Sequence, residues 1–207
     1  MNLLNSLTNE QRDVVHQLGL GSLLGFNCSF CPTEFYHWLA HQFDTTTRTL
    51  TLGNGFEFTI TPNTVYTILG IPMGRRKLNT FCSPESVAYI NDNIKKDGPT
   101  LSVKQLCAMI VPDMPLDLFA ATFYLTSMQC FLCPNASQTQ SSYYFDGILV
   151  LKELSEFDLC SVVLDWLVSS IAKFQLSKPD RRIIVAGGCS PVLVVSSLVH
   201  LETINIL

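Results

Sequence analysis

Residues 49–72 read TLTLGNGFEFTITPNTVYTILGIP and contain the strongest local structure signals of the chain. Apolar residues alternate with polar ones on both sides of a Gly-Asn-Gly turn: Leu50, Leu52, Phe56, Phe58 and Ile60. This period of two predicts a β-hairpin over about residues 49–60 with one apolar face. Two strands alone are marginally stable in water, so we expect that face to pack on helices.

A helix is predicted directly after the hairpin. Thr61 is a favourable N-cap, and Pro62 suits the first helical position because its missing N–H would have no helical partner there. Gly70 then ends the helix and Pro72 prevents its continuation. The predicted buried stripe consists of Val65, Ile68 and Leu69.

Capping signals predict helices along most of the remaining chain. Their starts are Thr8 with Gln11, Ser83-Pro84, Ser102 with Gln105, Ser155 with Asp158, and Ser190-Pro191. Residues 115–133 are nearly all apolar and predict a central helix that is buried on most sides. The sequence therefore predicts a mainly α fold: a helical domain over residues 21–207 with one β-hairpin, preceded by an N-terminal helix or extension over residues 1–20.

The composition excludes some classes of protein. Of 207 residues, 47% are hydrophobic and 14% charged, which argues against intrinsic disorder. A net charge of −4 argues against a broadly basic nucleic-acid-binding surface. The N-terminus has no basic region followed by an apolar run, so we expect no signal peptide and interpret the eight cysteines as reduced thiols.

Residues 183–201 contain no Asp, Glu, Lys or Arg and approach the length of a membrane span. The segment also contains two glycines, a proline, three serines and a histidine. A buried core helix is therefore favoured, and a small membrane protein is kept as an alternative.

Two C-x-x-C pairs are candidate metal or redox motifs. Four thiolates from Cys28, Cys31, Cys130 and Cys133 would complete a zinc tetrahedron if the pairs converged. The pairs are much farther apart than the about 15–20 residues that are usual in zinc ribbons, and neither follows a strand of a thioredoxin-like unit. Packing of the thiols as small apolar groups is favoured, and zinc and redox roles stay open.

Histidines and basic residues give weaker signals. His37 and His41 share a helix face but lack the glutamate of an H-E-x-x-H site, so the polar flank of an amphipathic helix is the favoured interpretation. Arg75-Arg76-Lys77 is interpreted as a solvated turn, with nuclear import or phosphate contact as the alternative; Arg181-Arg182 is a second basic pair. We assign no catalytic, cofactor-binding or metal-binding residue and expect no cofactor.

Several segments together resemble the plant mobile domain, also called the aminotransferase-like plant mobile domain. The best match is Thr59-Ile60-Thr61, Val65 and Ile68-Leu69-Gly70-Ile71-Pro72. Three upstream segments are similar to the family pattern: Trp38-Leu39, Phe43-Asp44 and Thr47-Arg48-Thr49-Leu50. Three downstream segments are similar to later motifs of the family: Phe131-Leu132-Cys133-Pro134, Asp165-Trp166 and Gly187-Gly188-Cys189. Thr64 departs from the acidic residue that relatives often carry. The chain also ends near where relatives continue, which predicts a truncated domain.

The resemblance implies a nuclear, non-enzymatic interaction module related to transposon-encoded and MAINTENANCE OF MERISTEMS-type proteins, with a role in gene or transposon silencing and meristem maintenance. It implies a protein partner and leaves nucleic-acid contact open. One alternative is a fragment of a transposon polyprotein whose ubiquitin-like-protein protease activity lies outside this chain. Aminotransferase activity is not expected, because no lysine has the setting that a pyridoxal phosphate Schiff base needs.

Overall fold

Capping residues set the starts of most helices. The computed structural model describes residues 3–26, 32–53, 55–94, 102–134, 141–177 and 187–204, with side chains as far as residue 199. Within these ranges the α-helices are α1 (Asn9–Gln17), α2 (Thr33–Gln42), α3 (Pro62–Leu69), α4 (Pro84–Asn93), α5 (Val103–Met109), α6 (Leu116–Ser127), α7 (Leu159–Gln175) and α8 (Ser190–Ile204). The predicted N-caps Thr8, Thr61, Ser83, Ser102 and Asp158 all accept a hydrogen bond from a first-turn amide. Ser155 does not open α7 as predicted, because it lies within the 3-10 segment Ser142–Glu156 that precedes this helix.

The β-sheet has one strand more than the sequence predicts. β2 (Thr49–Thr51) and β3 (Glu57–Thr59) form the predicted hairpin, and β1 (Phe43–Asp44) pairs antiparallel with the outer edge of β2. Phe43, Leu50 and Phe58 stand opposite one another across the three strands and form one row on the core side. The hairpin prediction over residues 49–60 is therefore confirmed, with a two-residue strand added.

Four other segments are helical without α geometry. Leu3–Ser6, Gly21–Gly25 and Ser142–Glu156 are 3-10 helices, and Met128–Leu132 is a π-helical turn that follows α6. The long 3-10 segment is interrupted at Val150, whose φ of −120° is not helical. The predicted central helix thus extends from Leu116 through the π turn, whereas the 3-10 segment was not predicted.

The helices pack in two groups around one continuous core. α3 packs on α7 and α8, and α2 also contacts both of these helices. On the other side, α1, α5 and the Ser142–Glu156 segment pack around α6, whose residues 121–127 are all buried. The mainly α class with a small sheet is confirmed, and the division into residues 1–20 and 21–207 remains a prediction.

No helix in the described ranges combines the length and apolar character needed to cross a bilayer. The candidate span over residues 183–201 lies partly outside those ranges. From Ser190 onward it forms the first part of α8, whose residues Val192 and Leu193 are fully buried in the core.

Candidate functional site

The motif Gly70-Ile71-Pro72 forms a junction between α3 and α7. Gly70 ends α3 in the left-handed conformation with a φ of 61°. The carbonyl oxygen of Pro72 then accepts hydrogen bonds from the amides of Leu159 at 3.0 Å and Cys160 at 3.3 Å. These are the first two residues of α7, whose amides have no partner within their own helix. We call these five residues the Pro72 junction.

Two of the C-terminal motif residues, Trp166 and Gly188, meet at the carbonyl oxygen of Pro134. The indole nitrogen of Trp166 donates to this oxygen at 2.9 Å and the amide of Gly188 donates at 3.2 Å. The hydroxyl of Tyr36 donates to the neighbouring carbonyl of Gly187 at 2.8 Å. This group, which we call the Pro134 junction, joins α2, α7 and the entry to α8 to the end of the π turn.

Two further motifs on which the predicted resemblance rests meet at the protein surface. Arg48, which precedes β2, forms an ion pair with Asp165 of α7 at 3.0 Å, with about half of both side chains exposed. Thr64, where the resemblance predicts an acidic residue, completes the cap of α3, because its hydroxyl accepts a hydrogen bond from the Thr61 amide at 3.1 Å. The motifs therefore have structural roles where the structure places them.

The cysteines of the second C-x-x-C motif have different surroundings. Cys133 is buried and lies near Cys189, whereas Cys130 is exposed and lies near Cys107. Burial raises the pKa of both Cys133 and Cys130, the latter to about 12. Cys28 and Cys31 lie outside the described residues, so the predicted four-cysteine arrangement stays a prediction. Within the described ranges, no three His, Cys, Asp or Glu side chains are grouped to hold a metal ion.

His37 and His41 lie on the same face of α2, as predicted. Both imidazoles pack on the ring of Phe174 in α7, with centroid separations of 4.7 and 5.0 Å. The two histidines are thus part of the contact between α2 and α7. Gln175 supports the same contact by donating to the carbonyl oxygens of Ala40 and Phe43.

Asp146 is the centre of a buried polar network that the sequence did not indicate. Its carboxylate accepts hydrogen bonds from the Ser83 amide, both the Ser83 and Ser86 hydroxyls, and the Asn79 amide group, at 2.5–2.8 Å. Burial alone would raise the pKa of Asp146, but these donors outweigh it and the pKa is lowered. The carboxylate thereby fixes the start of α4 on the 3-10 segment.

The basic loop at residues 75–77 is partly neutralised. The Arg76 guanidinium bonds to Glu153 at 2.6 Å and to Glu156 at 3.1 Å, and it lies 4.3 Å from the ring centre of Phe157. Arg75 and Lys77 are exposed beside it. Arg76 therefore attaches this loop to the 3-10 segment. The second basic pair, Arg181-Arg182, lies outside the described residues.

The largest concave surface that we describe is a groove of about 860 Å³ between α1, α4, α6 and the 3-10 segment. Leu18 and Ile148 are buried in it, whereas Leu116 and Leu149 are 43% and 48% exposed. The polar side chains of the groove are Gln17, Tyr89, Asp117, Lys152 and Glu153. We call this surface the leucine groove.

A second cavity, of about 400 Å³, lies at the other end of α6. Its apolar wall consists of Leu3, Leu4, Leu23, Phe26, Phe123 and Phe131. The polar groups on its wall are Thr126, Ser127 and the thiols of Cys107 and Cys130. We call it the thiol pocket.

The sequence did not predict either cavity, nor that Cys107 and Cys130 line the same one. Cys107 belongs to a helix that was predicted from its cap alone, and no spacing rule relates it to Cys130. The available signal was the apolar character of residues 115–133, which predicts that other helices must pack around α6.

A family model described as a domain of unknown function, DUF8566, matches residues 1–194. The chain belongs to this family. Residues 1–194 include both junctions, the leucine groove and the thiol pocket, so the DUF8566 match spans these four features. Comparisons with curated proteins and with solved structures give no match.

Proposed function

We propose that this DUF8566 chain is a non-enzymatic interaction module that acts in the nucleus, as its resemblance to the plant mobile domain implies. The implied setting is gene or transposon silencing and meristem maintenance. We further propose that the leucine groove binds a protein segment with aliphatic side chains and an adjacent basic residue. The observation that carries this proposal is the exposure of two leucines within one large groove.

Leu116 and Leu149 support an apolar contact with a partner. Both are about half exposed, and they line the same groove from α6 and from the 3-10 segment. Large apolar side chains that share a concave surface are typical of binding sites, whereas scattered ones are ordinary surface features. Aliphatic side chains of a partner would cover both leucines and reach the buried Leu18 and Ile148.

Asp117 favours a basic flank on that partner at the Leu116 end of the groove. Of the charged side chains that line the groove, Asp117 is exposed beside Leu116, Glu153 already pairs with Arg76, and Lys152 is exposed on the 3-10 segment. Burial raises the pKa of Tyr89 across the groove, and the negative charge of Asp117 raises it further. Because a Lys or Arg next to the aliphatic anchors would meet this negative potential, the pairing would favour correct orientation.

A non-enzymatic role is supported by how the polar groups are used. The four donors around Asp146 fix α4, Arg76 attaches its loop to the 3-10 segment, and His37 and His41 pack on Phe174. Each of these groups is engaged in holding the fold. The groove, in contrast, offers exposed apolar area beside the exposed carboxylate of Asp117, a combination suited to binding.

Peptide selection against the full chain tests the groove. We expect selected peptides to contain two aliphatic residues next to Lys or Arg, and the double variant Leu116→Ser/Leu149→Ser to bind them at least about tenfold more weakly. The matched control is Leu176→Ser/Leu198→Ser, which alters two exposed leucines outside the groove. Equal binding by the groove variant and the wild type would overturn the groove assignment.

Asp117→Asn tests the proposed orientation separately. We expect a few-fold weaker binding of peptides with a basic flank, and no change for matched peptides in which that residue is neutral.

A fluorescent fusion in plant cells tests the location, for which we expect nuclear enrichment. Nuclear exclusion would contradict the location without bearing on the groove.

A further inference from the structure

The charges along the leucine groove define how an occupant must lie in it. Leu116 and Leu149 are both about half exposed, and Asp117 is exposed beside Leu116. Lys152 is exposed on the 3-10 segment that forms the other wall. Cations of an occupant are therefore favoured near Leu116 and opposed near Lys152. A segment in which a basic pair is followed by aliphatic residues fits these charges in one orientation.

The chain itself contains such a segment. Residues 181–185 read RRIIV, so two cations stand directly before three aliphatic residues. They belong to residues 178–186, which lie outside the described residues, between the end of α7 and the entry to α8. Elsewhere, aliphatic residues close to a cation are buried in the core, among them Leu78 after Lys77, Ile94 before Lys95 and Leu106 after Lys104. The RRIIV sequence is thus the best match to the groove within this chain.

The leucine groove of the same chain is too distant for this sequence. Gly188, which follows it, is fixed at the Pro134 junction, where its amide donates to the Pro134 carbonyl at 3.2 Å. Leu116 begins α6, and α6 with the π turn separates it from Pro134 by roughly 20 Å. Ile184 stands four residues before Gly188, and four extended residues cover at most about 14 Å. A second copy of the chain is therefore the source of the occupant.

We propose that residues 178–186 of one copy bind the leucine groove of a second copy, so that the chain is its own partner. This inference rests on the proposed function of the groove. Ile183 and Ile184 cover Leu116 and Leu149, and the preceding arginine pairs with Asp117. The two surfaces in contact are different, so the contact is heterologous and each assembly retains an unused groove at one end. The assembly therefore grows with protein concentration.

Binding of a synthetic peptide of residues 178–186 to the full chain tests the contact directly. We expect the double variant Leu116→Ser/Leu149→Ser to bind this peptide at least about tenfold more weakly than the wild type. A matched peptide with Arg181→Gln and Arg182→Gln should bind the wild type a few-fold more weakly, and Asp117→Asn should remove this difference. Absence of binding, or equal binding by the groove variant, would overturn the proposal.

Sedimentation velocity of the full chain tests whether the contact joins copies. We expect assemblies that grow with concentration and that the added peptide dissolves. Leu116→Ser/Leu149→Ser and Ile183→Ser/Ile184→Ser should each stay monomeric. Their equimolar mixture should form a dimer, because one groove and one segment remain intact. A monomeric wild type, assembly by either variant alone, or a monomeric mixture of folded variants would contradict the proposal; if the isoleucine variant does not fold, the peptide measurement decides.

Failure of this inference is distinguishable from failure of the proposed function. If selected peptides bind the groove but the peptide of residues 178–186 does not, the groove assignment stands and the second copy is not its occupant. If neither binds, both proposals fall.

Discussion

The Pro72 and Pro134 junctions use the same acceptor but different donors. At Pro72, the proline carbonyl receives two backbone amides from the start of α7. At Pro134, it receives one backbone amide, from Gly188, and the side chain of Trp166. The Pro72 junction therefore depends on the backbone of α7, whereas the Pro134 junction also depends on the side chain at position 166. Substitutions should therefore affect the stability of the two junctions differently.

The largest difference is expected between the glycines. Gly188 has a φ of 97°, and an added Cβ would lie 2.8 Å from Leu167 Cδ1 and 3.1 Å from Leu167 Cα. At Gly70 the nearest atom would be the Ser22 Cβ at 3.0 Å, which belongs to an exposed side chain. We expect Gly188→Ala to lower the free energy of unfolding by about 3 kcal/mol and Gly70→Ala by about 1–2 kcal/mol.

Urea unfolding of both alanine variants measures this comparison. An equal or larger loss for Gly70→Ala would show that the Pro72 junction is the more constrained of the two.

Asp146 extends the comparison to a charged acceptor. Asp146→Asn should lower the free energy of unfolding by about 2 kcal/mol at pH 7, since hydrogen bonds to a charged group are worth more than those to a carbonyl. The folded-state pKa of Asp146 is lowered, so its stabilisation is present above the unfolded pKa, near 3.9, and is lost as the pH falls through the folded value. The gap between wild type and variant should therefore shrink below about pH 4.

Asp92→Asn is the matched control for this prediction, because it makes the same change at an exposed position of the same helix. We expect no loss of stability from it. A pH-independent gap for Asp146→Asn would mean that the carboxylate charge is not what stabilises the start of α4.

A smaller effect should come from the indole at the Pro134 junction. Trp166→Phe removes the donor to the Pro134 carbonyl while retaining an aromatic ring, and we expect a loss of about 1–1.5 kcal/mol. Trp38→Phe is the control: Trp38 is 44% exposed, and the same change there should cost less than about 0.5 kcal/mol. Similar losses of unfolding free energy for Trp166→Phe and Trp38→Phe in chemical denaturation would show that the smaller ring, and not the lost hydrogen bond, causes the effect at position 166.

The smallest effect is expected next to that indole. Asp165→Asn breaks the exposed ion pair with Arg48, and such pairs contribute about 0–1 kcal/mol. We expect a loss of at most about 0.5 kcal/mol that disappears in 1 M NaCl. A loss that persists in high salt would assign the Asp165 carboxylate a structural role beyond charge pairing.

The most accurate predictions from the sequence concern features that depend on residues close together in the chain, namely the helix caps and the β-hairpin. The caps at Thr8, Thr61, Ser102 and Asp158 were predicted because each satisfies amides within its own first turn. The hairpin was predicted because its alternation and its turn are adjacent in the chain. Strand β1 was missed because two residues show no measurable alternation.

Features that depend on packing were not predictable in the same way. The motif residues at Pro72 and Pro134 stood out in the sequence, but nothing local indicated which donors would reach their carbonyls. The Ser142–Glu156 segment was missed because a 3-10 helix interrupted at Val150 has no sustained period of 3.6 residues. The leucine groove forms where that segment packs against α6, and the thiol pocket forms where α5 does. Both cavities therefore depend on contacts between elements that are distant in the sequence.

The π turn gives the chain a tolerance for length that its residue types do not reveal. Met128–Leu132 makes a wider turn than an α-helix, and its last bond joins residues five apart. This turn takes up one residue more than an α-helical turn does, so deleting one residue here would leave a regular α-helix and keep Pro134 facing Trp166. Deleting one residue within α6 itself would instead rotate the following segment by about 100° around the helix axis. The angular position of one carbonyl is thus set by the residue count of α6 and buffered by the turn that follows it.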